Sequence, residues 1–187
     1  RSVCVVCGDC AQACPTGAME MLGEETSVTA LVEELLKDRA YFEKSGGGVT
    51  LSGGEPSLQP AFTLALIQQL KSAGISVALD TCGLCPPDLL EKLVTEVDLV
   101  LFDLKLIDPE AHEKWTGVSN PRVLNNLLKV KEIISNATLA TRLWVRTPLI
   151  PGATVTRENI QGIGAHLAKH LNGSVERWEL CAFNNLC

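Results

Sequence analysis

The sequence predicts an α/β fold around a parallel sheet, because five short apolar segments alternate with helical ones at the spacing of β-α units. The apolar segments are continuous runs rather than strict alternations, and Leu99-Val100-Leu101-Phe102 is the clearest. Such runs are typical of strands buried on both faces of a parallel sheet. Units of this kind form either an open, doubly wound sheet or a barrel. No G-x-G-x-x-G follows the first strand, which disfavours a dinucleotide-binding sheet.

Cap and turn residues set the bounds of the individual elements. Ser27 is suited to cap a first helix, and the glycines at 46–48 stop it. The apolar face of that helix consists of Val28, Leu31, Val32, Leu35 and Leu36. Strands are expected near residues 49–52, 75–80, 98–105, 139–149 and 175–181. Helices are expected over 61–73, from Pro87, from Pro109, over 120–134 and, capped by Thr156, to about residue 171.

Composition limits the classes of partner. The 187 residues are enough for one domain with a core, and 46% of them are hydrophobic. The net charge of −6 argues against nucleic acid or an anionic membrane as a partner, since both require a basic surface. No apolar run approaches the roughly 20 residues of a membrane span. Eight cysteines in such a chain indicate a reducing, cytoplasmic setting rather than a disulfide scaffold.

Four cysteines at the start of the chain predict an iron–sulfur site. Cys4, Cys7, Cys10 and Cys14 have the spacing C-x2-C-x2-C-x3-C, and proline follows the last one. This is the run with which bacterial ferredoxins hold [4Fe–4S] clusters. Zinc is the alternative, but zinc sites favour two CxxC pairs with a long spacer. Residues 1–23 are therefore expected to form part of a ferredoxin-like insert, and residues 24–187 the α/β domain.

Polar or glycine-rich sequence follows each predicted strand. Ser52-Gly53-Gly54-Glu55 ends the first strand, Asp80-Thr81 the second and Asp103-Leu104-Lys105 the third, while Arg146 lies near the end of the fourth. Because ligands bind at the carboxyl ends of parallel strands, these groups are expected around one mouth. Asp103 and Lys105 are two residues apart and can both face it. Carboxylates, bare glycine backbone and an arginine suit a zwitterionic ligand that carries a ribose, as S-adenosylmethionine does.

At these motifs the sequence resembles a family, the radical S-adenosylmethionine enzymes that activate glycyl radical enzymes, of the pyruvate formate-lyase-activating type with a ferredoxin-type insert. The resemblance runs through the whole chain. The motifs that carry it are CxxCGDCxxACPTGA at 4–18, GGGVTLSGGEPSLQ at 46–59, DTCG at 80–83, DLKLIDPEAHEKWTGVSN at 103–120 and WVRTPLIPG at 144–152.

The resemblance implies a partial TIM-type (β/α)6 barrel and a set of cofactor residues. Ser52, Gly53, Gly54 and Glu55 match the segment that holds the methionyl amino group. Asp80 and Thr81 match a pair near the cofactor and a monovalent cation, which Asp103 can share. Asp103, Lys105 and Arg146 match groups beside the cofactor. Asn184 stands where some members carry a histidine.

The resemblance also implies the chemistry. A reduced [4Fe–4S] cluster cleaves S-adenosylmethionine to methionine and a 5′-deoxyadenosyl radical, which abstracts hydrogen from a glycine of the partner enzyme. A flavodoxin- or ferredoxin-type donor is expected to supply electrons through the auxiliary clusters. The family's CxxxCxxC loop, its first strand, a companion ferredoxin run and a last helix are expected outside residues 1–187. We therefore expect no catalytic residue in this fragment and no turnover by it alone. Alternatives are another radical S-adenosylmethionine enzyme, acting on a small molecule, and an electron-transfer iron–sulfur module.

The remaining candidate residues are expected to be structural. Cys82 and Cys85 form a CxxC that favours an ordinary loop over a redox or metal site, and Cys181 is expected in the core. His112 is expected at the surface. His166 and His170 have a metal-capable spacing, but their helix is expected to face outward. The three tryptophans, at 115, 144 and 178, are expected to pack.

Overall fold

Five parallel strands form one sheet in which neighbours along the chain are also neighbours in space, in the order β1-β2-β3-β4-β5. The computed structural model describes residue 5 and residues 7–21, 23–136 and 140–182. The strands are β1 (Gly48–Leu51), β2 (Ser76–Thr81), β3 (Leu99–Asp103), β4 (Arg142–Leu149) and β5 (Arg177–Ala182). A parallel sheet was predicted, and it is confirmed; each strand lies within three residues of its predicted bounds.

Eight α-helices are present in the described part of the chain. They are α1 (Asp9–Gln12), α2 (Val28–Leu35), α3 (Arg39–Ser45), α4 (Pro60–Ser72), α5 (Pro87–Val94), α6 (Pro109–Thr116), α7 (Pro121–Asn136) and α8 (Arg157–His170). The predicted caps hold: Ser27 Oγ accepts from Ala30 N at 3.1 Å, and Thr156 Oγ1 accepts from Asn159 N at 3.1 Å. None of these helices is long and apolar enough to cross a membrane.

The predicted first helix is in fact two helices. A 3-10 turn at Leu36–Asp38 separates α2 from α3, and α3 ends at Gly46 with φ +67°. The break comes where the apolar face of α2 ends, because the residues after Leu36 no longer repeat that spacing. Arg39 fixes the new direction, since its Nη2 donates to the carbonyl oxygen of Ala73 at 2.6 Å.

The core lies on one face of the sheet. The strands are parallel and in sequential order. Because crossovers between parallel strands are right-handed as a rule, this order is expected to place the connecting helices on the same side. Alternate strand residues are buried there, with Val77, Leu79, Val100, Phe102 and Val145 at 0% exposure. The other face is only partly covered: Ala78, Asp80, Leu101, Trp144 and Arg146 are half-buried.

The expectation of strands buried on both faces is therefore wrong for the part of the chain that the structure describes. Long continuous apolar runs occur where both faces are apolar, and β3 has the longest such run among the strands, at residues 99–102. The residues of β2 and β4 alternate between the buried face and the half-buried one, which carries the polar side chains.

Candidate active site at the carboxyl edge of the sheet

The polar residues that follow the strands meet in one small cavity. It has a volume of about 130 Å³ and lies at the carboxyl edge of β1, β2 and β3. Its lining residues are Ser52, Gly53, Gly54, Glu55, Asp80, Thr81, Cys82, Asp103 and Lys105. Thus eight of the nine cofactor residues predicted from the sequence line it, and the ninth, Arg146, contacts one of them.

The loop after β1 presents bare backbone to this cavity. Gly53 has φ +117°, a conformation that side chains with a Cβ rarely adopt. A Cβ built on Gly53 or Gly54 would have no heavy atom within 4 Å, so both positions border open space. A ligand can therefore approach the main chain directly at these two residues.

Glu55 ties the loop after β1 to the end of β2. Its Oε1 accepts from Ser57 Oγ at 2.9 Å and from Thr81 Oγ1 at 2.8 Å, and its Oε2 accepts from Cys82 N at 2.9 Å. Burial alone would raise the pKa of Glu55, but the hydrogen bonds from Cys82, Thr81 and Ser57 outweigh burial and lower it. The carboxylate is thus ionised, and Oε2 retains a lone pair for a further donor such as an ammonium group.

Cys82 is a cavity residue that the sequence argument assigned to an ordinary loop. Burial and the adjacent Glu55 carboxylate raise the pKa of its thiol to about 11. Burial also raises the pKa of the Cys85 thiol. Both thiols are therefore protonated at neutral pH, which disfavours a metal or dithiol role for this CxxC, since metals and disulfide exchange require the thiolate.

Arg146 reaches the cavity through Asp80. Its Nη1 donates to Asp80 Oδ2 at 2.8 Å, and Ser52 Oγ donates to the same oxygen at 3.2 Å. Burial lowers the pKa of Arg146, but a hydrogen bond with Cys181 and the carboxylates of Asp80 and Asp103 raise it, with a net increase. The guanidinium is therefore a fixed positive charge beside the cavity.

A line of charged groups continues from Arg146 across the half-buried face. Glu179 lies opposite Arg146 in the β4–β5 register, with 3.9 Å between Arg146 Nε and Glu179 Oε2. Arg177 Nη1 lies 3.3 Å from Glu179 Oε1, and its guanidinium stacks 4.0 Å over the Trp144 ring. The sequence argument did not identify Glu179 or Arg177. Their positions, two residues apart on a predicted strand, indicate that both side chains lie on the same face of the sheet.

Asp103 and Lys105 complete the cavity at β3. Lys105 Nζ donates to Asp103 Oδ2 at 2.8 Å, which confirms that both side chains point to the same side. The pair is about 30% exposed, so its charges remain available to a ligand. With Glu55, Asp80 and Arg146, the site carries three carboxylates and two cations.

The structure overturns three of the minor expectations. His112 is buried, not at the surface, and its Nδ1 hydrogen bonds with the Val118 carbonyl oxygen at 2.6 Å. Trp115 is 52% exposed and does not pack in the core. Cys181 is half-buried on the face of β5 that carries Glu179, since positions two apart share a face.

A larger cavity of about 480 Å³ lies behind the loop after β1. Its walls come mainly from α2, β1 and α4, and its apolar members include Leu31, Leu35, Phe62 and Leu66. Glu55 is its single titratable lining residue among the residues that the structure describes. This cavity can accept apolar groups but holds no constellation for proton transfer.

The predicted iron–sulfur ligands are only partly within the described residues. Cys4 lies outside them, as does Asn184. Cys7 and Cys10 are exposed free thiols, and the side-chain hydrogen bond with Thr16 is the main cause that lowers the pKa of Cys14 to about 7. Across residues 7–21, 23–136 and 140–182, no group of three or more His, Cys, Asp or Glu side chains is arranged to hold a metal ion. The four-cysteine site therefore remains a prediction, and no reaction step is derived from it.

The sequence profile of the radical SAM superfamily matches residues 10–160. The chain belongs to the radical SAM superfamily. Membership implies S-adenosylmethionine and a [4Fe–4S] cluster as cofactors. The residues present fit the first of these, because the cavity offers carboxylates, a cation and exposed glycine backbone around open space.

Characterised relatives of this chain are activating enzymes. The isethionate sulfite-lyase activating enzyme of Oleidesulfovibrio alaskensis is 39% identical over 87% of this chain and 52% of its own length. The trans-4-hydroxy-L-proline dehydratase activating enzyme of Clostridioides difficile is 44% identical over 77% of this chain and 46% of its own. The pyruvate formate-lyase 2-activating enzyme of Escherichia coli K12 is 42% identical over 84% of this chain and 53% of its own length. This radical SAM chain spans about half the length of these relatives.

Known structures agree with this family. A domain of the pyruvate-formate lyase-activating enzyme from Bacteroides vulgatus superposes with a TM-score of 0.66 at 29% identity, covering 74% of this chain and 82% of that one. Streptococcus suis SuiB bound to S-adenosylmethionine superposes with a TM-score of 0.63 at 13% identity, covering 89% of this chain and 36% of that one. The second likeness shows the radical SAM fold alone.

Proposed function

We propose that this chain carries the S-adenosylmethionine site of an activating enzyme that installs a glycyl radical on a partner enzyme. The observation that carries the proposal is the gathering of eight predicted residues in one cavity, with Arg146 fixed against its edge. The relatives also support the proposal, because several activating enzymes are 39–44% identical to this chain. The strand order supports a partial (β/α)6 barrel, and the cysteine run supports a ferredoxin-like insert.

In this proposal different residues bind different parts of the cofactor. The bare backbone at Gly53 and Gly54 and the free lone pair of Glu55 receive the ammonium group of the methionyl part. Arg146 binds the carboxylate through its guanidinium fork, which Asp80 holds in place. Asp103 and Lys105 lie next to the ribose. Asp80, Thr81 and Asp103 are the groups that could also hold a monovalent cation.

Charge supports the same ligand. The site carries a net charge of −1 from Glu55, Asp80, Asp103, Lys105 and Arg146. S-adenosylmethionine carries a net charge of +1, from a sulfonium, an ammonium and a carboxylate. The bound pair is therefore neutral, which favours binding in a partly water-excluded site.

The cofactor supplies the reactive chemistry: one electron breaks a sulfur–carbon bond to give methionine and a 5′-deoxyadenosyl radical that takes a hydrogen atom from the partner's glycine. The chain's own residues bind the cofactor, orient it and limit the access of water. A flavodoxin- or ferredoxin-type electron donor and a cytoplasmic setting belong to the same proposal.

The test uses the full protein, reconstituted anaerobically with iron and sulfide and supplied with S-adenosylmethionine and dithionite. With the correct glycyl radical enzyme, we expect a glycyl radical signal by electron paramagnetic resonance and one 5′-deoxyadenosine per radical. Deuterium placed on the partner's glycine should appear in the 5′-deoxyadenosine. Formation of 5′-deoxyadenosine only with small-molecule substrates, and never with a protein radical, would overturn the proposal in favour of a small-molecule enzyme.

A further inference from the structure

A second, mostly apolar cavity opens beside the cofactor cavity. Its volume is about 180 Å³. The two cavities share Cys82, Asp103 and Lys105, and the second extends between the loop after β2 and the segment that joins α6 to α7. Its other lining residues are Leu84, His112, Thr116, Val118 and Val123. A group bound here would touch the same three residues as the cofactor.

The first wall, residues 82–85, is pinned from both sides. Cys82 N donates to Glu55 Oε2 at 2.9 Å, and Gly83 N donates to Thr81 Oγ1 at 3.0 Å. On the other side, Asn126 Nδ2 donates to the carbonyl oxygens of Gly83 and Cys85, at 2.7 and 2.9 Å. Asn126 is 1% exposed, so its amide is fully committed to this loop.

The second wall, residues 116–120, is pinned in the same way. The Val118 carbonyl oxygen can only accept, so His112 Nδ1 donates to it at 2.6 Å. Asn120, 1% exposed, donates from Nδ2 to the carbonyl oxygens of Leu106 and Ile107, both at 2.9 Å. Two loops are thus held rigidly by buried polar side chains, and the space between them is preformed.

Away from its border with the cofactor cavity, where Cys82, Asp103 and Lys105 lie, the cavity offers mainly apolar surface. Thr116 Oγ1 donates to the His112 carbonyl oxygen at 2.7 Å, and His112 Nδ1 is committed to Val118. The exposed walls are Leu84 and Val118, at 36% and 38%. A volume of 180 Å³ is below the roughly 300–1,000 Å³ of small-molecule pockets. Its volume and the apolar wall of Leu84, Val118 and Val123 suit one apolar side chain.

We propose that this cavity is a subsite for one apolar side chain next to the target glycine of the partner protein. The inference rests on the proposed function and adds a specificity determinant to it. A side chain seated between Leu84 and Val118 places the adjoining backbone over Asp103 and Lys105, at the border of the cofactor cavity. The partner's sequence beside the glycine, and not the glycine alone, then decides how well it is positioned.

The experiment compares peptides on the full protein in the presence of S-adenosylmethionine. Each fluorescent peptide contains one glycine in an alanine-rich host, with phenylalanine before it, phenylalanine after it, or alanine on both sides. We expect at least one phenylalanine peptide to bind about tenfold more tightly by anisotropy than the alanine peptide. Val118→Trp, which fills the cavity, should abolish this preference.

Val155→Trp is the matched control, because Val155 is similarly exposed, at 46%, and does not line the cavity. It should keep the full preference. Leu84→Ala, which removes one wall, should reduce the preference several-fold, and it tests the subsite independently of whether Val118→Trp folds. Circular dichroism checks that each variant is folded.

Equal binding of all peptides by the wild type, or a preference that survives Val118→Trp, would overturn the subsite. A third outcome also overturns the subsite: the wild type shows no peptide preference, and Val118→Trp raises the KM for S-adenosylmethionine. That result would place part of the cofactor in this cavity. The proposed function fails separately, if no glycyl radical forms on any partner. Because anisotropy needs no turnover, a Val118-dependent peptide preference would stand in that case.

Discussion

The carboxylate of Glu55 performs a structural task as well as its predicted ligand contact. Four donors from three residues converge on it, namely Ser57 N, Ser57 Oγ, Thr81 Oγ1 and Cys82 N. Each such bond to an ionised acceptor is worth more than a neutral one. Because the donors lie on the loop after β1 and at the end of β2, ionisation of Glu55 fixes the relative position of two walls of the site.

This role predicts a pH-dependent effect of Glu55→Gln. The folded-state pKa of Glu55 is below the 4.5 of an unperturbed glutamate, so its stabilisation is complete above pH 4.5 and is lost as the pH falls through the lower, folded-state pKa. At pH 7 we expect the variant to lose about 1–3 kcal/mol in free energy of unfolding. Urea unfolding of the metal-free chain at pH 7 and below pH 4 measures this.

The difference between wild type and Glu55→Gln should shrink at the lower pH. Glu176→Gln is the control, because the contact of Glu176 with Arg142 is long, at 3.9 Å, and exposed. A loss that is the same at both pH values would show that shape, not charge, explains the effect of Glu55.

Arg146 gives a second prediction, for cofactor binding. A lysine cannot form the guanidinium fork, so Arg146→Lys should raise the KM for S-adenosylmethionine about tenfold or more, with a smaller change in kcat. Arg142→Lys is the control, since Arg142 is on the same strand and face but near the amino edge of the sheet. Steady-state kinetics of the reconstituted full protein measures both. An unchanged KM in Arg146→Lys would remove Arg146 from the site.

Single residues show where sequence reasoning succeeds and where it stops. The convergence of Ser52, Asp80 and Asp103 could be predicted, because strand ends in a parallel sheet must meet at one edge. The burial of His112 could not, because it depends on the carbonyl oxygen of Val118, whose position is set by the loop and not by any periodic pattern.

At the scale of elements, the end of β2 packs with no spare room. Gly83 has φ +69°, and a Cβ placed on it would lie 2.2 Å from the Phe102 ring. Phe102 is completely buried in β3 and cannot move aside. The turn after β2 can therefore lie against β3 only if residue 83 is glycine, and this contact sets the position of Cys82.

Gly83→Ala should accordingly destabilise the protein by about 3 kcal/mol or more, through overpacking and backbone strain together. Gly74→Ala provides the control, since Gly74 has φ +76° but no heavy atom within 4 Å of its Cβ position. It should cost only about 1–2 kcal/mol. Thermal and urea denaturation of both variants measure the comparison. Equal losses would mean that the Phe102 contact contributes nothing.

The elements themselves were largely predictable. Each strand and the helices at Pro87, Pro109 and Pro121 follow from apolar runs and helix-start residues, which are local signals. The end of the apolar spacing at Leu36 is a local signal for the division of the first helix, but the direction of α3 is not readable from it, because the contact of Arg39 with Ala73 spans 34 residues. Burial on one face was missed for a related reason, since short apolar runs do not reveal what covers each side.

At the scale of the whole molecule, the predicted iron–sulfur role of the cysteine run at 4–14 can be tested by measuring iron content. We expect Cys14→Ser to lower the iron bound by the reconstituted full protein by about four atoms per chain, the content of one [4Fe–4S] cluster. Cys181→Ser should leave iron content unchanged, because Cys181 lies in the sheet on β5. Iron and sulfide assays measure both. Retention of all iron in Cys14→Ser would refute the ferredoxin-like assignment.

The sequential strand order also separates the molecule into two ends with different tolerance to change. The cavity residues lie at or just after the carboxyl ends of β1, β2 and β3, whereas the helix-to-strand turns lie at the opposite edge. The turn at Gly173, between α8 and β5, has φ +76° and no neighbour within 4 Å of its Cβ position. A reporter or affinity segment inserted into this turn is therefore expected to leave the cavity at the carboxyl edge intact, so the protein can be tethered or labelled from one edge while the edge that carries the candidate site stays free.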